Sequence, residues 1–261
     1  MSQAMIEAVG LTKFYGRTEA LSGLSFQVAP GEIVGLVGPN GAGKTTSLRM
    51  LCGMIPPTKG LVRIGGFLVQ EEPIAAKRLL AFIPDEPRLF DYLTVTEHLR
   101  FLARVYQLGD VGARIATLLE EFELADRAHD LPSTLSRGMR QKVAICCGFL
   151  HNPQAIFFDE PLTGLDPIAI RRIKDAILRR AGDGAAILVS SHLLDLVEEP
   201  CDRFLILNKG QSVAWGTREE ILRRFPKLGA GSSLEDIFLE ATGHGGERTE
   251  PEPEAVAGIG E

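Results

Sequence analysis

The chain has 261 residues, 45% of them hydrophobic and 24% charged. That is enough apolar material for one large domain, or for a domain with a subdomain. A formal net charge of −6 supplies no global field for nucleic acid, so duplex binding would need a local basic patch.

Cys52, Cys146, Cys147 and Cys201 form no CxxC or CxxH pair. That spacing disfavours a metal site and suits the buried, reduced thiols of a cytoplasmic protein. The opening MSQAMIEAVG lacks a basic start followed by an apolar stretch. No apolar run approaches the ~18 residues of a membrane span. The expectation is a soluble chain, free to dock on something that is not.

In chain order, EAVGLTKFYG and ALSGLSFQVAPGE predict short strands with Gly and Pro turns. EIVGLVG (32–38) is an apolar strand of the buried kind, and it runs through GPNGAGKT into a helix, TTSLRMLCGM. LVRIGG (61–66) predicts another strand, and LLAFIP (79–84) ends in one. From 94 to about 150 the pattern is helical. Thr94 and Glu97 match a capping box before EHLRFLARVY, and ARIATLLEEFEL and the segment beginning LSRGMRQK follow. This stretch, 86–150, is read as a helical subdomain inserted into a core formed by 1–85 and 151–242.

Strand character returns at AIFFD (155–159). A helix follows, with Asp166 as N-cap, Pro167 at its first position and Gly182 just past its end. AAILVSS (185–191) predicts a strand, and RFLILNKGQSVAWG a hairpin turning at Asn208–Gly210. Thr217 with Glu220, and Ser232 with Glu235, suggest two final capped helices. In the second, Leu234, Ile237 and Phe238 form an apolar face. Residues 243–261, poor in apolar residues and rich in Glu and Pro, are expected to be disordered.

The chemistry begins at GPNGAGKT, which matches G-x-x-x-x-G-K-[ST] in the strand-to-helix context it requires. Gly38, Pro39, Asn40, Gly41, Ala42 and Gly43 would wrap backbone N–H groups around phosphates. Lys44 would reach the terminal phosphates, and Thr45, followed by Thr46, would offer a hydroxyl to Mg²⁺. Asp159, ending an apolar strand, is placed to hold Mg²⁺, and Glu160 to orient or deprotonate an attacking water. His192 ends the next strand, where ligands of open parallel sheets gather; it reads as a phosphate donor, against a plain structural histidine. LSRGMRQK opens a helix with a serine, a glycine and no carboxylate, which is a ready anion site.

This order resembles one family. Phosphate loop, LSRGM, FFDEP, LTGLDP and a Ser-His at a strand end are the motifs of the ATP-binding cassette (ABC) ATPases, and the resemblance covers roughly residues 4–242. It implies an α/β fold: a P-loop cassette with a RecA-like core, an N-terminal antiparallel β subdomain and an inserted helical subdomain. It implies ATP and Mg²⁺ as cofactors, and two copies packed head to tail. Ser136 and Gly138 of one copy would then contact the γ-phosphate of ATP held by the other. It also implies Tyr15 as the ring stacked on adenine, where a core tyrosine is the alternative. Asp166 falls in the loop where subunits would meet, and it is an equally good plain N-cap.

Two departures stand out. The common signature LSGGQ is LSRGM here, with Arg137 and Met139, which resembles ATPases serving separately encoded exporter-type permeases. The usual glutamine after the strand at 80–84 is Asp85, a residue still able to hold Mg²⁺. Residues 86–98, with Leu89, Phe90 and Tyr92, correspond to part of the groove that receives a permease helix, or else to a local core under a loop. The implied function is ATP hydrolysis driving an exporter-type membrane transporter from the cytoplasmic face, with no nucleic-acid partner. A soluble, non-transport ABC ATPase and an importer subunit stay open as alternatives. The cargo is not legible, because the permease is another chain.

Overall fold

The computed structural model describes residues 4–226, 228–229 and 231–243. The chain opens with two long antiparallel strands, β1 (Ile6–Tyr15) and β2 (Thr18–Val28), rather than several short ones. β-Bulges interrupt their register between Ala8 and Leu11 and again near Lys13, which is why the sequence pattern looks broken. β3 (Ile33–Val37) follows, then α1 (Lys44–Leu51), β4 (Lys59–Ile64) and β5 (Phe67–Leu68). A short helix, α2 (Pro73–Leu79), which the sequence pattern did not predict, leads into β6 (Leu80–Ile83).

Three helices come next: α3 (Val95–Val105), α4 (Gly112–Glu121) and α5 (Arg137–Phe149). The chain then returns as β7 (Ala155–Asp159), α6 (Pro167–Gly182), β8 (Ala186–Ser191) and a short helix α7 (Leu194–Glu198), also unpredicted. β9 (Arg203–Asn208), β10 (Gln211–Gly216), α8 (Arg218–Leu222) and α9 (Leu234–Thr242) complete it.

The strands form two sheets. One is antiparallel, in the order β2-β1-β4-β5, so it draws on residues up to 68 and not on the N-terminal segment alone. The other has the order β10-β9-β3-β8-β7-β6 and is parallel apart from β10. β3, β7 and β8 are buried at every position and mostly apolar because both faces are covered, with polar residues at the carboxyl ends of β7 and β8. Alternation decides which face each residue serves. Val34, Leu36, Phe157 and Leu188 pack toward α1 and the antiparallel sheet. Ile33, Val37, Phe158 and Val189 pack into a second cluster with α3, α4, α5 and α6. The helical segment therefore shares its core with the central sheet.

The caps are informative. The boxes at Thr94–Glu97 and Thr217–Glu220 form as expected. The final box forms one residue later than expected, at Ser233 and Asp236. Ser232 closes a turn through its N–H to the Gly229 carbonyl, and aspartate does the work expected of Glu235. Leu234 and Ile237 are buried and Phe238 packs beside them. Gly182 is the last residue of α6, not the one beyond it, and the left-handed residue is Gly184. The hairpin turns at Lys209 and Gly210, both with positive φ. Of the tail expected to be disordered, Gly243 is described as the left-handed cap of α9; residues 244–261 lie outside the described residues.

Candidate functional site

The carboxyl ends of β3, β6, β7 and β8 converge, and the chemistry-bearing residues follow from that convergence. After β3 the chain turns tightly through residues 38–43. A Cβ on Gly38 would lie 2.5 Å from the Leu207 carbonyl oxygen. Gly43 has φ +105, and a Cβ there would lie 2.9 Å from the Ala20 oxygen. At Gly41, with φ +80, a Cβ would meet nothing within 4 Å, so this part of the loop faces open space. α1 starts without a side-chain cap and without an acidic residue in its first turn. Its N–H groups are thus left to an anion.

The cavity there has a volume of about 310 Å³ and is lined by Ala20, every residue from Pro39 to Thr46, Asp85 and Glu160. Lys44 is only 6% exposed. Its Nζ donates to the Gly38 carbonyl at 2.7 Å and lies 3.3 Å from Glu160 Oε1. A buried ammonium needs such partners, and these are groups that a phosphate can replace.

Asp159 ends β7 and is 6% exposed. Its Oδ1 accepts from Thr45 Oγ1 at 3.2 Å and from Ser190 Oγ at 2.8 Å. Glu160 follows with φ +50, a strained backbone for a non-glycine residue. Its N–H donates to the Ser190 carbonyl and hydroxyl at 3.2 and 3.1 Å, which holds that conformation. Its Oε2 accepts from the His192 N–H at 3.2 Å and lies 2.8 Å from His192 Nδ1. The structure thus brings Lys44, Thr45, Asp159, Glu160 and His192 together.

Ser136 and Gly138 are elsewhere. Ser136 caps α5, its Oγ accepting from the Met139 N–H at 3.2 Å. A Cβ on Gly138 would face Leu165 at 3.2 Å. Neither residue lines the phosphate-loop cavity of its own chain. Tyr15 is 49% exposed at the end of β1, with the Lys13 ammonium 5.3 Å from its ring centroid, and it does not line the cavity either. It is not a core tyrosine. Asp166 accepts from the Ala169 N–H at 2.9 Å, the capping bond that lowers its carboxyl below the ordinary value.

Sequence reasoning missed three contributors. Ser190 is fully buried and serves both Asp159 and Glu160; its signal was its position opposite Asp159 in the parallel register of β7 and β8. Gln141 reaches from α5 to the Pro84 carbonyl at 3.2 Å. Arg137 pairs with Asp85 at 2.9 Å. The last two link segments some fifty residues apart, and no local pattern announces them.

A family model described as ABC transporter matches residues 21–163. This chain belongs to the ABC transporter ATPases. The ATP-binding protein EcsA of Bacillus subtilis, described as an ABC-type transporter ATP-binding protein, is 37% identical over 241 residues, covering 92% of this chain and 97% of EcsA. A solved ATP-binding subunit of an ABC transporter superposes with a TM-score of 0.86 at 38% identity, covering 91% and 99% of the two chains. A dimeric ATP-binding cassette, MJ0796, in a post-hydrolysis state with ADP and Pi superposes at 0.75 and 26% identity, covering 82% and 98%.

The ABC assignment makes the chain an ATPase that takes an adenine nucleotide. The residues present also fit a Mg²⁺ ion. The donors around the cavity are all oxygen, from Thr45, Asp159, Asp85 and Glu160. Among the described residues no cluster of three or more His, Cys, Asp or Glu forms a protein-only metal cage. Mg²⁺ does not need one, since it keeps waters and phosphate oxygens and takes one or two carboxylates. The cysteines are all free, and burial pushes the Cys147 thiol up to about 12, so none is poised as a ligand or nucleophile.

Proposed function

We propose that this chain powers an exporter-type ABC transporter, working as a head-to-tail pair of copies docked on permease subunits at the cytoplasmic face of the membrane. The observation that carries the pairing is the separation of Ser136 and Gly138 from their own chain's phosphate-loop cavity. Two open anion sites, each incomplete, complete one another when two copies face in opposite directions. The MJ0796 cassette is dimeric, which supports pairing of two copies.

The hydrolytic step follows from the residues. ATP enters the cavity with its phosphates against the amides of the loop and of α1. Lys44 exchanges the Gly38 carbonyl and Glu160 for phosphate oxygens. Thr45 and Asp159 would hold Mg²⁺, with Asp85 as a further oxygen donor; the ion neutralises phosphate charge when bound. Glu160, released from Lys44, accepts a proton from the attacking water as its oxygen bonds to the γ-phosphorus. The bond from that phosphorus to the β–γ bridging oxygen breaks, leaving ADP and inorganic phosphate. His192, bonded to Glu160, orients the carboxylate.

The permease side of the proposal rests on a groove of about 260 Å³ whose lining includes Leu89, Phe90, Phe101, Leu102 and Tyr106. Phe90 is 56% exposed and meets Phe101 edge to face, while its N–H is fixed by His98 Nε2 at 2.8 Å. Tyr92, two residues along the chain, is exposed. No helix among the described residues is long and apolar enough to cross a membrane, so transport needs a partner that does. The exporter direction is supported by the LSRGM signature, which resembles that of ATPases serving separate exporter-type permeases. The test is co-purification: tagged Glu160→Gln protein extracted from native membranes in mild detergent with Mg-ATP. A polytopic membrane protein at matching stoichiometry is expected. Recovery with ribosomes, with nucleic acid or alone in the soluble fraction would remove the transport reading and leave the ATPase.

A further inference from the structure

The helix that carries Ser136 and Gly138 is tied to the phosphate-loop cavity of its own chain at two points. Arg137 Nη2 donates to Asp85 Oδ1 at 2.9 Å, and Gln141 Nε2 donates to the carbonyl of Pro84, next door, at 3.2 Å. Arg137 and Gln141 are four residues apart, so they share one face of α5. The Arg137 guanidinium also lies against Gly164, where a Cβ would come within 3.1 Å of Nη1. One side chain thus touches the loop after β6 and the loop before α6, while standing in the first turn of α5.

Asp85 is an edge of the cavity, lining it with Lys44, Thr45 and Glu160. Burial lifts its carboxyl above the ordinary value, Glu160 and Asp159 add to that, and Arg137 opposes it. A cation arriving in the cavity would find Asp85 already engaged, and would be repelled by the guanidinium that engages it.

We propose that Arg137 is a positioning residue for the Mg–ATP site of its own chain, competing with the phosphate-bound cation for the Asp85 carboxylate. Loading of the cavity then loosens the start of α5, and attachment of α5 weakens the hold on the cation. The segment meant for a second copy's nucleotide is thereby sensitive to its own chain's nucleotide. This inference rests on the reading that the cavity takes Mg–ATP.

The test is an equilibrium Mg²⁺ titration at fixed ionic strength, reading binding of a fluorescent ATP analogue with a β–γ imido bridge. It compares wild type, Arg137→Gln, Asp85→Asn and the double variant. The pair is half exposed on both sides, 47% and 40%, so its influence is that of a surface ion pair. Arg137→Gln is expected to lower the Mg²⁺ concentration for half-saturation by about two- to fivefold. Asp85→Asn should raise it, and in that background Arg137→Gln should change it by less than about 1.5-fold. Arg137→Lys should stay near wild type, and Arg137→Met should follow Arg137→Gln and replaces it if that variant fails to fold. No shift, a shift toward weaker Mg²⁺, or an equal shift in both backgrounds overturns the proposal. Wild type that binds the analogue no better than Lys44→Ala would instead overturn the nucleotide reading beneath it.

Discussion

Glu160 Oε2 and His192 Nδ1 lie 2.8 Å apart, across the ends of the neighbouring strands β7 and β8. The same oxygen also accepts the His192 backbone N–H, and the other oxygen faces Lys44. The carboxylate is therefore held on both sides. The His192 ring meets Glu160 and does not line the phosphate-loop cavity.

Replacing Glu160 by Gln removes the proton acceptor but leaves an amide of the same shape. Turnover should fall by about 10²- to 10⁴-fold, while ATP binding is retained. Size-exclusion chromatography with Mg-ATP should show a lasting dimer, alongside steady-state phosphate release to measure the loss. Turnover at the wild-type rate would remove Glu160 as the base.

His192→Ala frees Glu160 Oε2 from its ring partner without touching the phosphate loop. The expected result is a fall in kcat with KM for ATP nearly unchanged, because an orienting group acts on the chemical step. A rise in KM with kcat intact would instead make His192 a ground-state phosphate contact.

Lys44→Ala should abolish nucleotide binding measured by calorimetry. Gly43→Ala should do nearly the same for a different reason. Its φ of +105 and the Ala20 oxygen at 2.9 Å leave no room for a methyl group. The variant should also lower Tm, whereas Lys44→Ala, which removes a buried charge, should not do so to the same degree.

Thr94→Ala breaks the capping box at the start of α3, where Thr94 Oγ1 accepts the Glu97 N–H and Glu97 Oε2 accepts the Thr94 N–H. The cost should be about 1 kcal/mol of stability in chemical denaturation. Thr217→Ala in α8 should cost a similar amount.

His151 gives a pH dependence. Its ring stacks on Tyr106 at 3.9 Å, Nε2 lies 3.1 Å from the Leu80 carbonyl oxygen, and Nδ1 is buried without a partner. The carbonyl requires Nε2 to carry the hydrogen. Protonation would add an unpaired N–H at Nδ1, and burial holds the imidazole below its ordinary value of 6.5. The unfolded chain takes up this proton near pH 6.5 and the folded chain resists it. Stability from this residue is therefore present above pH 6.5 and declines as pH falls below it. The drop in Tm between pH 7.5 and 5.5 should be smaller in His151→Phe than in wild type. Equal drops would show that His151 does not contribute.

The strands and helices nearest the phosphate loop were legible because their signals are local. A buried strand is an apolar run, a phosphate loop is a glycine spacing, and a capping box is two residues three apart. The slip at the last helix, from Ser232 to Ser233, shows the limit of that legibility. Two overlapping serines each had an acidic residue three positions on, and the N–H of Ser232 is engaged by the Gly229 carbonyl instead.

By itself the sequence determined the loop from Gly38 to Thr46, the acidic pair Asp159 and Glu160, and the helix start at Ser136, since each is defined by neighbours along the chain. Tertiary structure alone decided that Ser190 supports both acids, that His192 holds Glu160, and that Arg137 meets Asp85. Those contacts depend on strand order, on parallel register and on how α5 lies across the end of β6. Such quantities are set by burying two faces of one sheet at once, and no stretch of sequence encodes them alone.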